Sequence, residues 1–229
     1  MPNWNFTTIT DSDKLHQQTR ILAALDIILS EEEWLRVHRY EAELQPGVAW
    51  GSIDNGTGDH LHVLFTPSGT LIKGFDHESP LSPHARDDGE VCPGMYDEVP
   101  KALRAILADQ EERMEPEDVT FCIWQEGNDP EWKTGSWIQQ AFIEESEDDA
   151  TGGADFLLGY IEETPEAFAD WAEGYYESHE LPLSAISEVY EGKPVTASLI
   201  KKLCPERDVE AALNELHQRG YVVERMDRG

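Results

Sequence analysis

Three short apolar runs between Val48 and Phe75, each closed by residues that turn a chain, constrain the fold of this sequence more than any other feature. The runs cover 48–53, 60–66 and 70–75, with Asn55-Gly56-Thr57-Gly58 and Pro67-Ser68-Gly69 between them. They are too short for stable helices and carry turn chemistry at the right spacing, so they predict a three-stranded antiparallel meander. In the middle run Leu61, Val63 and Phe65 alternate with His60, His62 and Leu64. Side chains alternate across a strand, so one face should be buried and the other at least partly polar. The stretch Val119-Thr120-Phe121-Cys122-Ile123-Trp124 is apolar at nearly every position. That pattern predicts a strand covered on both faces, placed centrally in a sheet of about four strands.

Helical periodicity flanks the sheet. Leu15, Ile21, Leu22, Leu25, Ile28 and Leu29 recur at three- and four-residue spacing, predicting a helix over 13–29 capped by Asp11 or Ser12. Ser30 followed by Glu33 matches a capping box and predicts a second helix carrying Trp34, Leu35, Val37 and Tyr40, closed by Pro46-Gly47. A further helix is expected over 95–113. Residues 76–93 hold three prolines and no periodicity, so they read as a long irregular connection and the natural lid of any pocket. Beyond residue 153 the expected helices cover 154–163, 165–178, 183–190, 197–204 and 206–219, with Thr164 and Thr196 as caps and Gly220 as a stop. Tyr221-Val222-Val223 could add one strand. The fold class is therefore α+β: an α+β domain over 1–143, an acidic linker over 144–153 and a helical module over 154–229.

Charge narrows the function. The chain has 47 Asp and Glu against 17 Lys and Arg, a net −30. Such an excess repels nucleic-acid phosphates and anionic membrane surfaces, which argues against both as partners. The hydrophobic fraction of 39%, with seven each of Trp, Tyr and Phe, still supplies a core. Cys92, Cys122 and Cys204 are odd in number and far apart, so no disulfide framework is available and a reducing compartment fits. The first residues carry neither a basic nor an apolar leader region, and no apolar run approaches the ~18 residues of a membrane span. A cytoplasmic location is expected.

The acids are not spread evenly. Between Lys133 and Lys193 there is no Lys or Arg, whereas 15 Asp and Glu occur. Within the helix expected at 165–178, Phe168, Trp171, Ala172 and Tyr175 fall on one stripe, and Glu166, Asp170, Glu173 and Glu177 line another face. Like charges four residues apart cost a helix roughly 0.2–0.5 kcal/mol per pair, which a cation would relieve. A solvated helix face is the plain account of such a run. The functional account is a docking surface for a basic protein, as in an immunity or inhibitor-type protein, with Glu144, Glu145, Asp148 and Asp149 as a second patch. Residues 192–229 are near neutral and suit packing against the acidic segment, within the module or across a homodimer. The lengths of the last three helices suggest a helix-turn-helix, but Glu206, Asp208, Glu210 and Glu215 against Arg207 and Arg219 argue against DNA.

Histidines supply the alternative. His60, His62, His77 and His84 lie within 25 residues, and the first two share a strand face. With Asp59, Asp76 or Glu78 nearby, His60, His62 and His77 could hold zinc and leave a water position open, as in a metal-assisted hydrolase or a small-ligand binder. No GxSxG elbow, P-loop or HExxH motif is present, so no catalytic residue and no other cofactor is expected.

Overall fold

Antiparallel pairing gathers the chain between His38 and Glu126 into one five-stranded sheet. The computed structural model describes residues 9–127, 129–136, 138, 151–177 and 180–224. The strands are β1 (His38–Gln45), β2 (Val48–Asp54), β3 (His60–Thr66), β4 (Gly69–Phe75) and β5 (Phe121–Glu126), in spatial order β1-β2-β3-β4-β5. Helix α1 (Ser12–Leu29) precedes them, and α2 (Lys101–Asp109) and α3 (Glu111–Met114) lie between β4 and β5. The later elements are α4 (Ala154–Leu158), α5 (Pro165–Tyr175), α6 (Leu183–Tyr190), β6 (Val195–Thr196), α7 (Ala197–Leu203), α8 (Val209–Gln218) and β7 (Val223–Glu224). The α+β class holds, and β6 and β7 form a small parallel ribbon of their own. Among the described residues, no helix is long and apolar enough to cross a membrane.

Two compact units result, one of Met1–Leu15 with Glu43–Tyr160 and one of His16–Ala42 with Ile161–Gly229. The first carries 27 acids against 7 bases, net −20, and the second 20 against 10, net −10.

In the sheet unit, register sorts the residues into two faces. Ile53, Leu61, Gly74 and Phe121 stand opposite one another in one row, and Gly51, Val63, Ile72 and Ile123 in the next, giving an apolar face. Phe121 lies directly across Gly74, which has no Cβ to obstruct it. The other face carries the histidines and is covered, not open: His62 is buried, and so are Leu103 and Leu107 of α2, which packs on β4. Two expectations need correction here. β5 stands last in the strand order, not in the middle. Its outer edge is occupied instead by Lys133, whose backbone exchanges hydrogen bonds of 2.8 and 2.9 Å with Trp124, and by Thr134 Oγ1, which donates to Cys122 O at 2.8 Å. The connection 76–93 is no loose lid, because Ser79, Leu81, Ser82 and Cys92 are buried and Ser82 caps a 3-10 turn at Pro83–Ala85.

In the helical unit the second expected helix fails. After Ser30 only one 3-10 turn, Glu33–Leu35, forms before β1 begins. The carbonyls that a continuing helix would bond are taken by a side chain: Arg36 donates to Ser30 O at 3.0 and 3.1 Å and to Glu31 O at 3.4 Å. Arg207 likewise donates to Ile27 O at 3.1 Å. The last carbonyls of a helix lack internal partners and carry partial negative charge, so a cation is favoured there. α1 has no basic residue in its own last turn; Arg207 supplies one at Ile27 O, and Arg36 serves the Ser30 and Glu31 carbonyls just past the end. Both guanidinium groups then reach Glu215: Arg36 through a bidentate pair and Arg207 at 3.8 Å, joined by Arg219 at 3.5 Å. The expected caps are in place, with Thr164 accepting from Ala167 N and Thr196 from Leu199 N.

Arg36→Met should therefore destabilise the helical unit by about 3 kcal/mol in urea unfolding, because Arg36 is nearly fully buried and its loss strands the Ser30 and Glu31 carbonyls and Glu215. A loss below about 0.5 kcal/mol would show that the network is only decorative.

Candidate functional site

The covered face of the sheet holds a polar row in an apolar setting. Ser52, His62, Lys73 and Cys122 stand opposite one another across β2, β3, β4 and β5, and all four are buried. Trp50, Leu64, Leu71 and Trp124 form an apolar row of the same face, and Asp54, His60 and Phe75 another. Alternation along β3 puts His60 beside His62, with ring centroids 5.2 Å apart. Trp50 stacks on His62 at 5.9 Å, and Arg113 at the end of α3 lies over the Trp50 ring at 4.7 Å.

Lys73 dominates the electrostatics. Its side chain is fully buried, and its Nζ meets His60 Nε2 at 3.0 Å. Among the described residues it forms no ion pair. Burial pushes its ammonium down to about 7, with Glu115 and Asp118 opposing from a distance. Burial, then the Lys73 charge, pushes His60 down to about 4. Between those values the proton sits on Lys73 and His60 Nε2 accepts it. Burial raises the Cys122 thiol to about 12, so it is inert as a nucleophile.

Of the three expected zinc ligands, the structure brings His60 and His62 together and assigns His77 elsewhere. His60, His62 and Glu115 offer ligand atoms within 4.8 Å of one another, with Glu115 held in a left-handed conformation after α3. His77 groups instead with Asp59 and Asp76. Asp59 is buried and accepts from His77 N and Nδ1 at 2.9 and 2.6 Å and from Asn55 Nδ2 at 2.8 Å. Burial alone would raise its pKa, but these hydrogen bonds outweigh it and hold the carboxylate below its usual range. His77 is raised in turn by the bond to Asp59. This second cluster fastens the β2–β3 turn to the chain after β4. His84 joins the same end of the sheet, edge-on to Phe75, and bonds Asp118 at 2.9 Å.

The expected docking residues lie on α5 and just after it. Glu166, Asp170 and Glu177 are exposed, and none pairs with a Lys or Arg among the described residues. Glu173 differs: it is half-buried, and its Oε1 accepts from Leu181 N at 2.7 Å. Glu162 lies near the same acids: burial raises its pKa, His38 opposes this, and Asp170 adds a smaller rise. Glu144, Glu145, Asp148 and Asp149 lie outside the described residues.

Sequence reasoning missed Lys73, Glu115 and Asp118. A signal for the first was present: one cation inside the strand Gly69-Thr70-Leu71-Ile72-Lys73-Gly74-Phe75 must be buried if both faces are covered. Glu115 and Asp118 reach the site through a turn that no periodicity marks. No protein family, curated protein or solved structure matches the chain.

Lys73 yields a pH signature. From pH 7 to its ordinary 10.5 the unfolded chain holds a proton that the folded chain has released, so stability rises with pH. Cys122 acts oppositely only above pH 9. Between pH 7 and 9, wild type should gain about 2 kcal/mol relative to Lys73→Met in urea unfolding with chelator present. Parallel pH profiles for the two proteins would mean that Lys73 is not buried as described.

Proposed function

We propose that this is a non-enzymatic binding protein of immunity or inhibitor type, which docks a basic protein through the acidic face of α5. One observation carries the reading. Glu166, Asp170 and Glu177 are exposed without a cationic partner among the described residues, while Arg36, Arg207 and Arg219 of the same unit converge on Glu215. Three of the unit's ten cations are thus held by one internal carboxylate and do not oppose the exposed acids of α5. Complementary fields speed encounter and exclude wrong partners, which suits a protein that must capture a basic target.

The test begins with capture of a basic partner from the native cytoplasm. Reversing Glu166, Asp170 and Glu177 to Lys should then slow association about tenfold at low salt and flatten its salt dependence. Glu173 is left intact because its carboxylate holds Leu181 N. An unchanged association rate would reduce the face to a solvated surface.

A second reading rests on the donors of His60, His62 and Glu115, two nitrogens and an oxygen that suit zinc with one position open to water, as in metal-assisted hydrolysis. It ranks second because Lys73 already stands at hydrogen-bond distance from His60 Nε2. Elemental analysis of protein purified without an affinity tag separates the readings. Zinc at one per chain, lost in a His60→Ala, His62→Ala variant, would favour the hydrolase; we expect substoichiometric zinc.

A further inference from the structure

The helical unit contains a cavity of about 320 Å³ whose character is opposite to that of the chain as a whole. Ile21 and Ala24 of α1, Val189 of α6, Val195 of β6 and the ring of Tyr221 form apolar walls. Arg20 and Lys193 also line it, and among the described residues no carboxylate does. In a chain with 47 acids and 17 bases, a cavity bordered by two cations and by no acid among the described residues is a local reversal of sign.

Arg20 is held in place with its charge uncompensated. Its Nη2 donates to Gly220 O at 2.7 Å, its guanidinium lies 5.1 Å above the Tyr221 ring, and Tyr221 Oη donates back to Arg20 O at 2.7 Å. Among the described residues it forms no ion pair, and the rest of its donors meet no acceptor there. A guanidinium fixed by stacking and one backbone bond presents its remaining fork to a planar anion with little further loss of freedom. Lys193 pairs with Glu191 at 2.7 Å, but both side chains are more than half exposed, so that contact yields readily.

We propose that this cavity binds a small amphipathic carboxylate, with its hydrocarbon against Ile21, Val189 and Val195 and its carboxylate on Arg20. The volume lies at the small end of ligand pockets, which selects a medium-chain or single-ring acid over a long lipid chain. This site is independent of the α5 face and stands or falls without it.

Octanoate, 1-octanol and octylammonium, titrated calorimetrically into the full chain, form the test. Octanoate should bind saturably and at least tenfold more tightly than octanol, and octylammonium not at all. Arg20→Gln should abolish the preference for octanoate over octanol. Methyl NMR of the wild-type chain provides a readout that needs no variant: octanoate should shift Ile21, Ala24, Val189 and Val195 and leave Ile72 and Ile123 of the sheet unmoved. Equal binding of octanoate and octanol, absence of saturable octanoate binding, or shifts confined to other methyls would each overturn the proposal.

Discussion

The C-terminal end of α1 must be satisfied inside the helical unit, and much else follows from how this is done. The helix is buried on nearly every side from Gln18 to Ile28, so its last carbonyls cannot turn to water. Arg207, distant in sequence, donates to Ile27 O within the helix, and Arg36 donates to Ser30 O and Glu31 O just past its end; both are themselves almost fully buried. Buried guanidinium groups need a counter-charge. Glu215 provides it for both, and its own pKa reflects the contest: burial would raise it, and the arginines hold it down. Three of the unit's few cations are thereby fixed around one carboxylate, with Glu31 and Glu33 at the margin. Glu166, Asp170 and Glu177 pair with no Lys or Arg among the described residues.

The sheet unit meets a related problem with the opposite outcome. Lys73 is a fully buried amine whose one hydrogen-bond partner among the described residues is a neutral imidazole. A buried ammonium without a paired carboxylate is costly, and the protein lowers that cost by letting the proton leave near neutral pH. Such perturbed groups gather at functional sites more often than elsewhere, though structural networks produce them too. Ser52, His62 and Cys122 lie buried alongside it. The row is a polar layer that admits one register of β3 against β4, since a one-residue slip would carry Lys73 to the apolar face.

Legibility in the sequence followed the range of the physics involved. The meander was readable because Asn55-Gly56-Thr57-Gly58 and Pro67-Ser68-Gly69 determine their turns locally, and the helix starts at Thr164 and Thr196 because a cap is a bond between near neighbours. The segment after Ser30 was misread because the capping-box pattern is also local, whereas Arg36 competes for the same carbonyls through its side chain. Placing β5 required knowing that Lys133 would cover its edge. His60 and His62 could be paired from alternation alone. Their grouping with Glu115, and the loss of His77 to Asp59, depend on loops that bring distant residues together. Arg20 gave no signal at all, since its significance lies in forming no ion pair among the described residues of the fold.

The α5 face is also electrostatically uneven, which bears on where a cationic partner would sit. Glu166 lies in the first turn, where a negative charge is favoured by the partial positive charge of the helix start. Asp170, Glu173 and Glu177 run toward the opposite end, where the helix already presents negative charge. Glu173 escapes by accepting from Leu181 N. Glu177 does not, and it sits in a left-handed conformation (φ 48°) that side-chain-bearing residues adopt at a cost of roughly 1 kcal/mol or more. The carboxylates nearest the C-terminus of α5 are therefore the least stabilised in the free protein. A Lys or Arg placed against Glu177 would relieve the helix-end field there, so it gains more than beside Glu166. On the proposed reading, the acidic face therefore has a direction, with its C-terminal end the more favourable place for a cation.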